Sequence, residues 1–334
     1  MWAPGRSKCP VLVYHAGSFA RNGCSRRVWL MRVAITGATG FIGSYVCRLL
    51  ARSGHTVTAL ARTTSRTDHV SESIDRIVVG DQSDESVFAD LVADADCVIH
   101  NSVDWNAVRE PGIETTCRQN IESSLKLLEA SRPMPFIFIS TIAVHHDMRP
   151  RWDGNIDEDH PLRPSTRYGA MKAAIEAFLW AEHHDQGRST CALRPCGVYG
   201  LDPRLDRSHG YALVRKIVNG QPVTRKGGGK FVHVEDVAAM ALAAVEQPDR
   251  VSGRCFNLVD CYARWADWAT MASAILDAGI DIDMESPEHP ANTFSREAAR
   301  ELGVRLDRGH AGIREYLEQL IGVMKQHHLL KPGE

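Results

Sequence analysis

Residues 36–43 read Thr-Gly-Ala-Thr-Gly-Phe-Ile-Gly and follow directly on the short apolar run Met31-Arg32-Val33-Ala34-Ile35. A buried strand, a glycine turn and the start of a helix account for that pattern. Such a turn leaves backbone N–H groups free at a helix N-terminus, where the helix dipole favours an anion. In this geometry Gly37 permits the tight turn, Gly40 lets the backbone approach a pyrophosphate, and Gly43 lets helix and strand pack closely.

The rest of the chain continues the rhythm that the turn begins. Helical patterns near 41–53, 84–92, 111–130 and 165–184 alternate with strand-like runs at 55–60, 74–80, 96–101, 136–140 and 189–194. The strands are almost continuously apolar, as when helices cover both faces of a sheet. The spacing therefore predicts an α/β fold, a Rossmann-like doubly wound parallel sheet with right-handed crossovers. After Pro195 the rhythm changes. Residues 200–230 are rich in Gly, Arg, Lys and Asp around one helical stretch, 211–219. The run 231–234, a helix at 235–246 and a strand at 255–259 are expected to rejoin the sheet, and the tail, 262–330, is expected to hold helices separated by the Pro-containing segment 287–290. The length of 334 residues suggests about two domains. These are a dinucleotide-binding domain, 31–195 with 231–260, and a smaller C-terminal substrate-binding region, 196–230 with 261–330.

Residues 1–30 carry five basic residues but only one apolar run, Val11–Tyr14, too short for a signal-peptide core. They are expected to lie outside the fold, with Met31 as the expected start. The net charge of −2 gives no reason to expect nucleic acid or a membrane surface as partner, and no apolar stretch is long enough to cross a bilayer. Nine cysteines without a CxxC pair or zinc-ligand spacing read as reduced thiols. The expectation is a cytoplasmic protein, without a metal, acting on a small molecule.

Tyr168 and Lys172 stand four residues apart, hence on one helix face. A free phenol is a poor base at neutral pH, and a nearby ammonium is expected to favour the phenolate. This pair follows a strand ending in Ser140-Thr141, where a hydroxyl would sit at the carboxyl edge of the sheet, the edge that binds ligands. A hydroxyl, a phenol and a cation together can polarise a carbonyl and exchange its proton during hydride transfer.

With these motifs in this order, the sequence resembles the extended branch of the short-chain dehydrogenase/reductase superfamily over residues 31–325. The resemblance rests on Thr36–Gly43, Asp81, Val98–His100, Ile139–Thr141, Tyr168 with Lys172, Arg194-Pro195 with Val198–Gly200, and Val232–Asp236. It implies that Tyr168 is the catalytic acid/base, that Lys172 assists it and bonds the nicotinamide ribose, and that Thr141 is the catalytic hydroxyl, with Ser140 the neighbouring candidate. The implied cofactor contacts are Gly37, Thr39, Gly40, Phe41, Ile42 and Gly43 in the turn, Asp81 and Gln82 at the adenine, Asn101 and Ser102, and Pro195 and Val198. It also implies a homodimer through helices around 111–130 and 165–184.

The second strand ends Leu60-Ala61-Arg62-Thr63, with Ala61 where an acidic residue would bond a ribose 2′-OH. Arg62, and Arg66 beyond it, suit a 2′-phosphate, so NADP(H) is expected ahead of NAD(H). Relatives that dehydrate nucleotide sugars look like Thr-Asp-Glu at the strand end; here Thr141-Ile142-Ala143 lacks both carboxylates. Nucleotide-sugar epimerases carry an arginine before the Phe-Val-His-Val segment, where Lys230 stands here and lacks the planar fork. The expected activity is an NADP-dependent reductase/dehydrogenase acting on a carbonyl or secondary alcohol. A sugar epimerase is the first alternative and a non-catalytic NADP-sensing protein the second. His145 replaces the tyrosine usual after the strand and is expected to touch substrate, as is Tyr199. Trp105 and Trp152 are further wall candidates, and His145-His146-Asp147 reads as loop at the pocket mouth.

Overall fold

The computed structural model describes residues 30–110, 112–145 and 154–330. Residues 1–29, His146, Asp147 and Trp152 lie outside them.

Strands β1 (Arg32–Thr36), β2 (Thr56–Ala61), β3 (Arg76–Val79), β4 (Cys97–His100) and β5 (Phe136–Ile139) precede the short β6 (Gly154–Ile156). After them come β7 (Thr190–Pro195), β8 (Gly197–Tyr199), β9 (Gly228–His233), β10 (Arg254–Leu258), β11 (Cys261–Arg264) and β12 (Asn292–Phe294). Seven of them form one parallel sheet in the order β3-β2-β1-β4-β5-β7-β10. The winding reverses between β1 and β4, so a crevice opens at the carboxyl ends of these two strands.

One sheet face is covered by helices Phe41–Arg52 and Val234–Glu246 around Val46, Leu50, Val237 and Met240. The other is covered by helices Ser123–Ala130 and Arg167–Gln186, through Leu127, Leu128, Ile175 and Leu179. The long helix starts where the Thr166 hydroxyl accepts from the Gly169 N–H and ends on Gly187 at φ +64°.

Two expectations about elements are corrected. The strand expected at 231–234 does not rejoin the large sheet. As β9 it pairs with β8 and β11 in a separate three-stranded sheet; only β10 returns. The helix expected across 111–130 is broken into Glu114–Thr116, a π-helical segment Cys117–Glu122, and Ser123–Ala130. Asn120 lies in that segment, turned onto the Asp104 backbone on one side and the Gln82 side chain on the other. A π-turn adds one residue per turn and re-aims side chains, which a regular helical period does not anticipate.

The C-terminal helices pack around a third cluster built on Tyr199, Phe231, Trp268 and Tyr316. No helix of the described residues is long and apolar enough to cross a membrane.

Candidate active site

A cavity of about 630 Å³ occupies the crevice, running from the glycine turn past the ends of β2, β4, β5 and β7. At its floor Gly37 has φ +71°, and a Cβ there would meet the Ser102 N at 2.9 Å. Any residue but glycine would collide with the strand-end backbone that forms the cradle. The helix beginning at Phe41 has neither a side-chain cap nor an acidic residue in its first turn, so its N–H groups face the cavity uncompensated. Gly43 does not line the cavity. A Cβ on it would stand 2.0 Å from the Gly37 carbonyl, so its role is the close packing that holds the turn.

The two strand ends are stitched together behind the cradle. Thr36 Oγ1 accepts from the N–H groups of Asn101 (3.1 Å) and Ser102 (3.3 Å) and contacts His100 Nδ1 at 2.7 Å. His100 Nε2 reaches Ser124 Oγ at 2.7 Å, and Asn101 Nδ2 donates to the Gly37 carbonyl at 3.2 Å. Burial pulls the His100 pKa down to about 3, so the imidazole is a neutral link between two hydroxyls.

Thr39, Gly40, Phe41, Ile42, Arg62, Asp81, Gln82, Asn101, Ser102, Pro195 and Val198 all line the cavity, as do Thr141, Tyr168 and Lys172. Among these, the Ser102 hydroxyl is buried with no partner among the described residues, and the Gln82 amide is turned onto the Gln119 carbonyl and Asn120. An uncapped helix N-terminus, a glycine cradle and an unpaired buried hydroxyl fit a dinucleotide laid across the crevice. At the end of β2, Arg62 and Ser65 face the cavity. Arg66 does not: it is exposed and paired with Asp68 at 3.0 Å.

At the other end, Thr141 caps the short turn Ile142–Val144, its oxygen accepting from the Ala143 N–H at 3.2 Å. Its single O–H is left to donate towards the Tyr168 phenol oxygen at the cavity wall. Ser140, the neighbouring candidate, also lines the cavity, but its hydroxyl donates to the buried Glu176 carboxylate. Gly169 lets the long helix approach this turn: a Cβ there would meet the Ala143 carbonyl at 2.1 Å. Tyr168 is thereby held beside Thr141. Burial pushes the phenol pKa up to about 12, only partly offset by the Thr141 hydroxyl.

The Lys172 ammonium donates to the Ile139 carbonyl at 2.7 Å and sits over the Phe138 ring at 4.3 Å. Burial brings its pKa down to about 7, against the pull of Glu176. The expectation that Lys172 draws Tyr168 towards phenolate is therefore corrected. Lys172 is buried and Tyr168 part-buried at the cavity wall, and desolvation disfavours the charged form of each.

The two substrate candidates fall outside the cavity. His145 is buried between Asn257 Oδ1 and Arg194, both at 3.4 Å, with its ring against His160 and Phe294. Tyr199 is fully buried among His233, Trp268 and Tyr316. Both alternate onto the inner side of their segments, where aromatic burial outweighs exposure to a ligand. Lys230 sits near the Phe294 ring at 5.5 Å and does not line the cavity either.

Sequence reasoning did not single out Glu176, Asn120 or Arg207. Glu176 is two turns beyond Tyr168 on the same face and forms a fully buried pair with Arg194 (2.7 Å) directly beneath Ser140. Its spacing was legible; its partner was not. Arg207 and Asp202 reach the cavity from the loop after β8.

Fold and cavity together define a nicotinamide-dinucleotide-binding α/β enzyme, with Thr141, Tyr168 and Lys172 lining its cavity. The NAD dependent epimerase/dehydratase family model matches residues 33–258, and the chain belongs to that family, within the extended short-chain dehydrogenase/reductases. The chain is 29% identical over 248 residues to the low-salt glycan biosynthesis protein Agl12 of Haloferax volcanii, covering 68% of this chain and 76% of that one. It is 30% identical over 225 residues to a 3-diazoavenalumate denitrifying reductase of a Streptomyces species, covering 65% and 72%. The UDP-glucose 4-epimerase of Thermotoga maritima superposes with a TM-score of 0.72 at 21% identity, over 89% of this chain and 99% of that one, and shares the fold. Several solved structures of this fold hold NAD.

Proposed function

We propose that this enzyme is an NADP(H)-dependent reductase/dehydrogenase of a small-molecule carbonyl or secondary alcohol. One observation carries the reading: Thr141, Tyr168 and Lys172 converge on the cofactor cavity, while the turn after Thr141 presents Ile142 and Ala143 rather than carboxylates. Such a site can protonate and deprotonate an oxygen but has no acid and base placed for eliminating water.

When bound, the nicotinamide supplies or accepts a hydride. The cradle at Gly37–Ile42 would hold its pyrophosphate, and Arg62 with Ser65 the 2′-phosphate. Tyr168, protonated at neutral pH, donates its proton to the substrate oxygen, and the Thr141 O–H gives that oxygen a second hydrogen bond. Lys172, titrating near pH 7, is drawn to its charged form as the phenol gives up its proton. In oxidation the same groups run in reverse.

Arg62 facing the cavity with no acidic residue at the end of β2 supports NADP(H) over NAD(H). Phe178, 50% exposed on the long helix, supports a homodimer through that helix. The epimerase alternative is weakened by Lys230, which stands away from the cavity. A panel of aldehydes and ketones assayed by loss of NADPH absorbance tests the reading. Stoichiometric oxidation that Tyr168→Phe abolishes is the expected result. Sugar isomerisation without net cofactor change would replace the reading with an epimerase, and cofactor binding without turnover of either kind with a sensor.

A further inference from the structure

Trp105 is the feature of the cavity that cofactor binding and proton transfer leave unexplained. A tryptophan side chain buries more apolar area than any other residue, yet this one stays 47% exposed, and it lines the cavity. Its indole lies over the ring of Tyr168, centroids 4.9 Å apart and planes 28° from parallel. One face is thus spent on the residue that handles the proton, and the rest of the ring system is open.

The element that carries it is held at both ends. Trp105 opens the short helix Trp105–Arg109, whose first N–H groups are capped by Asp104 Oδ1 (2.9 and 3.1 Å). Asp104 is pinned in turn by Asn120, which accepts from its N–H at 2.7 Å and donates to its carbonyl at 3.2 Å. Beyond the helix, the guanidinium of Arg167, next in sequence to Tyr168, donates to the carbonyls of Glu110 and Gly112. The π-segment that presents Asn120 and the helix that presents Tyr168 therefore both fix the position of one exposed indole. An aromatic group held in place without its own packing loses little entropy on meeting a ligand.

We propose that Trp105 is a specificity-determining residue: stacked on Tyr168, it offers a fixed aromatic platform that selects substrates bearing a planar aromatic group a two-carbon tether away from the reacting carbonyl. The inference rests on the reductase reading and names its substrate class. A ring laid on the open part of the indole needs such a tether for its carbonyl to extend towards Tyr168 on the covered side, and a saturated ring of equal size keeps the apolar contact but loses the stacking. Stacking of this kind discriminates by roughly threefold to tenfold.

The test uses the full-length enzyme saturated with NADP⁺, titrated calorimetrically with benzylacetone and with its cyclohexyl analogue. Wild type is expected to bind benzylacetone about threefold to tenfold more tightly. Trp105→Leu is expected to erase that ratio and Trp105→Phe to keep part of it, with the urea unfolding midpoint as the folding control. Equal binding of the two ketones by wild type, a ratio that survives Trp105→Leu, or binding of neither ketone overturns the proposal. Turnover with NADPH is read separately. Aryl-selective binding without turnover would sink the reductase reading alone, and turnover without aryl selectivity would sink this inference alone.

Discussion

Replacing Glu176 by glutamine tests the buried pair that underlies the site. The carboxylate is fully enclosed, with 0% of its side chain exposed against 1% for Arg194. Its Oε1 accepts from Ser140 Oγ and from Arg194 Nε at 3.2 Å, and its Oε2 accepts from Nε at 3.1 Å and from the terminal nitrogen at 2.7 Å. The guanidinium's remaining contacts, His145 Nε2 at 3.4 Å and the Glu158 carbonyl at 3.3 Å, carry no negative charge. Glutamine keeps the shape but removes the charge and turns an N–H₂ donor towards Arg194 or Ser140. Breaking one partner of a buried pair costs about 3–5 kcal/mol, because the other charge is left in a dry site. Urea unfolding should show that loss as a lower midpoint with unchanged slope. The double variant Glu176→Leu with Arg194→Met should cost less than Glu176→Gln alone, because it leaves no stranded charge. Removing the anion also withdraws support from the Lys172 ammonium, so the alkaline limb of the activity profile should move to lower pH. A destabilisation under about 1 kcal/mol, or a double variant worse than the single one, would refute the reasoning.

Three further outcomes follow from the same geometry. Arg62→Ala should weaken NADP(H) binding by about tenfold to a hundredfold, the loss of a charge-assisted contact, while leaving NAD(H) binding nearly unchanged; parallel titrations decide it. His100, held neutral with a pKa near 3 against 6.5 for a free imidazole, makes the unfolded chain bind the extra proton between those values. Stability should therefore fall as pH drops through that window, by up to about 1.4 kcal/mol per pH unit, and His100→Asn should flatten the slope of the urea midpoint against pH. Phe178→Glu should convert a dimer to a monomer in analytical ultracentrifugation, and an unchanged sedimentation coefficient would remove this helix from the interface.

How much of this was legible beforehand depended on the range of the forces involved. The strand–turn–helix unit at 32–52, the apolar strands of the parallel sheet, and the Tyr168–Lys172 pair on one helix face are written in local periodicity and in glycine stereochemistry. The resemblance pointed to Thr141 ahead of Ser140, but the hydrogen bond that occupies the Ser140 hydroxyl depends on Glu176 and Arg194 arriving from two other elements. The π-segment around Asn120 was invisible to a helical period, and it is what pins Asp104 and so aims Trp105.

The sequence by itself determined the class of fold, the cofactor cradle and the residue types available for proton transfer, because backbone sterics and side-chain spacing act within a few residues. Only the tertiary structure decided which side chains are dry. It buried His145 and Tyr199 away from the cavity, raised the Tyr168 pKa and lowered that of Lys172, and left Trp105 open. Burial is a property of what packs on a residue from distant elements, and it sets both ionisation and access to a ligand.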